Sequence, residues 1–213
     1  MIAIPRLHVI VNATSADVGV ELTKCVLDAG APLVQVRVKG VTDIERLRLT
    51  APLVELCHEF GALAIVNDRA DICLATGADG VHGGADDLPA DALRDLVGPD
   101  KIVGGTARNP ADARALEAAG VDYLGVGPVY ATATKIGLPD PLGPAVIEQT
   151  SATVEVPVLA IAGVTVDHVP ELVRSGAHGV AVVSAISAAS DPAAAVRAFV
   201  SALDRAVAEE VGS

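Results

Sequence analysis

Short apolar runs alternate with amphipathic stretches along the whole chain, and the alternation predicts strand and helix in turn. Leu7 to Ala13 predicts the first strand. The helix over Asp17 to Ala29 is stopped by Gly30, a residue favoured just past a helix end. Leu33 to Arg37 is the second strand, after which Thr42-Asp43-Ile44-Glu45 reads as a capping box for a long helix running towards Phe60 and stopped by Gly61. The third strand, Ala62 to Val66, is apolar throughout, as suits burial on both faces, and ends in Asn67-Asp68-Arg69. A short helix around Ile72 to Thr76 leads to the fourth strand, Gly80 to His82, which Gly83-Gly84 and Asp86-Asp87 follow. Pro89 to Val97 is helical and Ile102 to Gly104 is the fifth strand. Asn109-Pro110 then opens a helix with an N-cap and a first-turn proline, closing at Gly120. Tyr123 to Val126 is the sixth strand. Past residue 143 come a helix near Ala145 to Thr150, a strand over Pro157 to Ala162, a helix near Asp167 to Arg174 and a strand over Gly179 to Val183. The last helix starts at Asp191-Pro192 and sets Val196, Phe199, Val200, Leu203, Ala206 and Val207 on one face.

Strand and helix repeat at a spacing of roughly 25 residues, without a shift in composition that would mark a domain boundary. Eight such units predict a single-domain (β/α)8 TIM barrel of class α/β spanning 1–213. A doubly wound open sheet is the alternative, but the dinucleotide fingerprint is missing, because Gly125-Val126-Gly127-Pro128 runs on without a third glycine or a helix start. Only Gly127 to Gly143 breaks the rhythm. It is rich in proline and has no helical period, so it reads as a long functional loop, expected to cover the barrel mouth.

Composition narrows what such a barrel does. The apolar fraction of 51% supports one large core, and an aromatic fraction of 2% makes that core aliphatic. A net charge of -12 repels nucleic acid and anionic lipid, so an anionic ligand needs local cations or a metal. No charge-free stretch is apolar enough for a membrane helix, and the amino end lacks the pattern of a secretory signal; a cytoplasmic protein is expected. Cys25, Cys57 and Cys73 are odd in number and widely spaced, and read as buried small apolar side chains in helices.

A barrel's active site gathers at the carboxyl ends of its strands, and polar residues accumulate there. Gln35, Arg37 and Lys39 share a parity at the second strand; Asn67, Asp68, His82, Asp86 and Asp87 follow the third and fourth. Thr106 follows the fifth, and Thr132, Thr134 and Lys135 lie in the long loop. Gly163 follows the seventh, while Val183 and Ser184 end the eighth, where barrels often bind phosphate. Adjacent strands lie about 4.8 Å apart, so Asp68 and Asp87 suit one shared magnesium ion. The competing reading makes both of them helix N-caps. His82 reads as structural rather than as an acid or base, and no Ser-His-Asp or Cys-His arrangement is evident.

VQVRVKG, IVNDRAD, GADGVHGGADDLP, GVGPVYATATK, AIAGVT and GVAVVSAI occur in the order and spacing of the thiamine phosphate synthases, so the chain resembles that family from the first strand to the last helix. The resemblance implies a transferase in which an aminomethylpyrimidine diphosphate loses pyrophosphate and joins the nitrogen of a thiazole phosphate, giving thiamine monophosphate. Carried over by position, Gln35, Arg37, Lys39, Asn67, Thr106 and Lys135 hold the pyrimidine diphosphate, with Lys135, Arg37 and Lys39 carrying the catalysis. Asp68 and Asp87 bind Mg2+, and Thr132, Thr134, Gly163, Val183 and Ser184 hold the thiazole phosphate. The partners expected are these two small substrates, with neither nucleic acid nor membrane, and a homodimer fits such a barrel. Departures stand at Val38, where an acid is usual, at Ala85, where glutamine is usual, at Asn12, often Asp, and at Thr106, usually Ser. Two rivals share the barrel. One is a thiazole tautomerase, whose relatives tend to place a histidine where this chain has Arg108; the other is a non-catalytic barrel that binds a phosphorylated ligand.

Overall fold

The computed structural model describes residues 3–132, 134 and 137–211. Its strands are β1 Leu7–Asn12, β2 Leu33–Arg37, β3 Leu63–Asn67, β4 Gly80–Gly83, β5 Ile102–Ala107, β6 Tyr123–Val126, β7 Val158–Ile161 and β8 Gly179–Val182. All pair in parallel, each with its sequence neighbours, and β8 returns to β1 through Val9↔Val182 to close the barrel. The intervening helices are α1 Ala16–Asp28, α2 Asp43–Glu59, α3 Ala70–Thr76, α4 Ala90–Val97, α5 Pro110–Ala118, α6 Ala145–Ser151 and α7 Val169–Arg174, the last entered through a 3-10 turn at Val166–His168. A four-residue helix, α8 Ser184–Ser187, and the long α9 Pro192–Val211 complete the chain.

The two-residue period of each strand divides the apolar residues into separate clusters. Leu33, Ile65, Ile102, Tyr123 and Leu159 face inward and fill the barrel's base. Their neighbours, such as Val34, Val36, Ala64, Val66 and Val103, face outward and pack under the helices. The expected face of α9 seals that layer: Val196, Phe199, Leu203 and Ala206 are buried, and Val200 and Val207 pack partly against it. Ser15, Thr42 and Asn109 each accept from the backbone N–H three residues on, fixing the starts of α1, α2 and α5. The thiols of Cys57 and Cys73 are buried, which pushes them up to about 12 and about 11; Cys25 is only half-buried. No helix among the described residues is long and apolar enough to cross a membrane.

His8 is the polar exception at the barrel's base. It is fully buried, edge-on to Tyr123 at 4.8 Å, and among the described residues neither ring nitrogen has a partner at good hydrogen-bonding geometry. Burial, with His82 and His178 nearby, lowers its pKa from 6.5 to about 3, the Pro5 carbonyl offsetting a small part. The folded state therefore binds fewer protons than the unfolded state between those values, so stability falls as pH drops through the window. Relative to neutral pH, His8 should withdraw about 2 kcal/mol by pH 5. Denaturant unfolding at both pH values checks this, and His8→Phe should flatten the dependence.

Candidate active site

One cavity of about 490 Å³ opens at the carboxyl ends of the strands. It gathers twelve of the expected positions, Gln35, Arg37, Lys39, Asn67, Asp68, Asp87, Thr106, Thr132, Thr134, Gly163, Val183 and Ser184. Lys135 lies outside the described residues. Asp86, expected beside Asp87, is exposed and does not line the cavity.

β2 delivers Gln35 and Arg37 to the interior through its parity, with Lys39 two residues on. Arg37 donates through Nη1 to the Asn12 side chain, 3.0 Å away. That partner is neutral, so the guanidinium is held in place while its charge stays available to an anionic ligand. Val38, the departure beside Arg37, packs among the outward-facing core residues, so the missing acid is not a loss from the cavity wall. Ala85 does line the cavity, and so the missing glutamine is a change in it.

Lys39 Nζ pairs with Asp68 Oδ2, and the carboxylate is the more sheltered partner, at 13% against 46% exposure. Asp68 sits at φ 66, a left-handed conformation that aspartate tolerates better than most residues. Asp87 accepts from the Gly84 N–H at 2.9 Å. Burial raises its pKa, and so does hydrogen-bond contact with the Asp68 carboxyl, since two carboxylates side by side resist full ionisation. The capping alternative does not hold: Arg69 occupies the N-cap of α3 and Pro89 that of α4. Asp68 and Asp87 face each other instead, and among the described residues no group of three or more acids, histidines or cysteines forms a protein-only cage. Two mutually repelling carboxylates at an open cavity are a donor set that suits magnesium when the remaining positions go to phosphate oxygen and water.

β5 runs to Ala107, further than expected, which places Thr106 within the strand and facing inward. Its hydroxyl lies 2.9 Å from His82 Nε2, and His82 Nδ1 lies 3.1 Å from the Tyr123 hydroxyl. Opposite, Thr132, Thr134 and Ser184 converge although the loop and β8 are far apart in sequence: Thr134 donates to the Ser184 hydroxyl at 3.2 Å, and the Thr132 and Thr134 hydroxyls lie 3.1 Å apart. The base of the loop is pinned. Val129 and Tyr130 donate to Ile161 and Ala162 carbonyls, Tyr130 stacks on His168 at 3.7 Å, and its hydroxyl reaches Glu171 at 3.1 Å. Burial and Glu171 push the Tyr130 phenol up to about 12. β8 ends at Val182, one residue early, because Val183 turns into α8.

Two residues were not expected here from the sequence, one in the cavity wall and one buried below it. Arg108 lines the cavity from the end of β5, and its two-residue step from Thr106 was the available signal. Tyr123 was read only as the start of a strand, although it shares inward parity with Gly125.

A family model described as thiamine monophosphate synthase matches residues 7–186. A thiamine-phosphate synthase of Salinispora arenicola is 44% identical over 206 residues, covering 95% of this chain and 99% of that one. A thiamine biosynthesis bifunctional protein ThiM/ThiE of Symbiobacterium thermophilum is 42% identical over 204 residues; the match covers 95% of this chain and 42% of that longer relative. Among solved structures, a thiamine phosphate pyrophosphorylase from Pyrococcus furiosus superposes with a TM-score of 0.86 at 30% identity, covering 95% and 96% of the two chains.

Proposed function

This chain belongs to the thiamine monophosphate synthase family, and from that premise we propose that it joins 4-amino-2-methyl-5-(diphosphomethyl)pyrimidine to thiazole phosphate, releasing pyrophosphate and forming thiamine monophosphate. What supports the reading is the convergence of two polar clusters on one cavity, one of Arg37, Lys39, Asp68 and Asp87, the other of Thr132, Thr134 and Ser184.

In the reaction the bond from the pyrimidine methylene to the diphosphate oxygen breaks, its electron pair leaves with pyrophosphate, and the thiazole nitrogen lone pair forms the new C–N bond. The demand on the protein is to hold negative charge as it collects on the leaving group. Arg37, oriented by Asn12, grips phosphate oxygens with two N–H groups, and Lys39 and Lys135 act as point charges. Asp68 and Asp87 would hold Mg2+, which when bound neutralises diphosphate charge without proton transfer. In the free protein the Lys39 ammonium already offsets the Asp68 carboxylate. Gln35 and Asn67 face the same space and orient the pyrimidine. The hydroxyls of Thr132, Thr134 and Ser184 with the turn at Gly163 hold the thiazole phosphate, which aims its nitrogen at the methylene.

The test supplies both substrates with magnesium and follows pyrophosphate, with stoichiometric release expected; phosphate binding without release would identify a non-catalytic barrel. Ser184→Ala should raise the KM for thiazole phosphate several-fold with little change in kcat, whereas Lys135→Ala should act mainly on kcat, as steady-state kinetics will show. The reverse pattern would exchange the two sites.

A further inference from the structure

From the cavity floor down into the barrel interior runs a line of polar side chains from alternate and adjacent strands. Gln35 on β2 faces the same interior; the Tyr123 phenol on β6 lies 3.1 Å from His82 Nδ1 on β4, and His82 Nε2 lies 2.9 Å from Thr106 Oγ1 on β5. Tyr123 is sealed at 1% exposure and His82 nearly so at 7%, and their rings stack with centroids 5.4 Å apart. Gly104 leaves the space, since a Cβ there would sit 2.5 Å from both the Tyr123 hydroxyl and His82 Nδ1. Polar groups so deep in a barrel are costly unless bonded, and here the Tyr123 phenol and the Thr106 hydroxyl each meet one ring nitrogen of His82.

We propose that Tyr123 and His82 are positioning residues that fix the Thr106 hydroxyl as a hydrogen-bond donor into the cavity. This rests on the synthase reading, in which the acceptor is a diphosphate oxygen gathering charge. The direction follows from counting hydrogens. The phenol O–H is a stronger donor than an imidazole N–H and the imidazole nitrogen the stronger acceptor, so the single phenolic hydrogen goes to His82 Nδ1. An accepting Nδ1 puts the ring hydrogen on Nε2, which donates to Thr106 Oγ1. The Thr106 hydrogen is thereby turned away from the ring and towards the ligand. Burial keeps the Tyr123 phenol far above its ordinary pKa, hence a neutral donor, with nearby Gln35 a smaller opposing influence.

Kinetics and a spectrum test this together. Tyr123→Phe, which keeps the ring, should lower kcat about tenfold with KM values little changed, the scale of one misdirected hydrogen bond. His82→Gln, whose amide N–H mimics Nε2–H, should retain more activity than His82→Ala. In a Thr106→Ala background Tyr123→Phe should have no further effect, because its action passes through that hydroxyl; multiplied losses would overturn the proposal. Spectra of nitrogen-15-labelled histidine should show His82 carrying its hydrogen on Nε2, and hydrogen on Nδ1 would overturn the direction even if every variant turned over normally. Wild-type protein without turnover would instead bring down the synthase reading, while the spectrum still judges the chain.

Discussion

Asp68→Asn and Asp87→Asn should each lower turnover by roughly a hundredfold at limiting magnesium, the scale set by removing one strong electrostatic contact at a developing charge. Either change removes a hard anionic oxygen ligand and leaves diphosphate charge uncompensated. The loss should not come from unfolding. Neither carboxylate caps a helix, and the amide introduced by Asp87→Asn retains an oxygen for the Gly84 N–H. Asp87 is held by burial and by Asp68 above its usual pKa, so a neutral side chain there relieves repulsion. The melting temperature of ligand-free Asp87→Asn should therefore match or exceed that of wild type. Undiminished turnover would remove the pair from the metal site, and a lowered melting temperature would give Asp87 a structural role.

Gly163→Ala should cost both stability and affinity for thiazole phosphate. Gly163 adopts φ +68, and a Cβ would fall 2.5 Å from the Ala131 carbonyl and 2.7 Å from Tyr130 Cβ. The left-handed conformation alone costs an ordinary residue about 1 to 2 kcal/mol, and the Ala131 contact is with backbone, which cannot step aside as a side chain can. Relief requires the chain at Ala131 to shift, and Thr132 follows directly. Denaturant unfolding should register the strain, and the thiazole phosphate KM should rise by about tenfold or more, as befits the loss of more than one hydrogen bond to a phosphate. Wild-type values for both would mean that the turn does not press on the loop. The neighbouring Ala162, at φ 75, already bears left-handed strain at this corner of the cavity, where such strain tends to collect.

The barrel and much of the cavity were legible because strand periodicity is two. Once β2 is a strand, Gln35 and Arg37 must point the same way, and they do, with Lys39 just past the strand lining the same cavity. Val38, just past the strand, packs among the outer core residues, which is why that departure leaves the cavity untouched. What stayed hidden depends on three-dimensional neighbours. Asp68 and Asp87 have ideal chemistry for caps, and only the left-handed turn at Asp68 and the approach of the two carboxylates decide otherwise. Tyr123 looks like any strand residue until Gly104 on the next strand opens room for its hydroxyl to reach His82. The end of β8 was misplaced because Val183 is a good strand former whose backbone, at φ -120 and ψ -86, instead turns into α8.

In the proposed reaction this cavity couples departure of pyrophosphate to capture by the thiazole nitrogen. Mass spectrometry of a single turnover with both substrates and magnesium tests it most directly. Thiamine monophosphate should appear at the same rate as pyrophosphate and in equal amount. Pyrophosphate without thiamine monophosphate, or isomerised thiazole phosphate with the pyrimidine diphosphate intact, would contradict it.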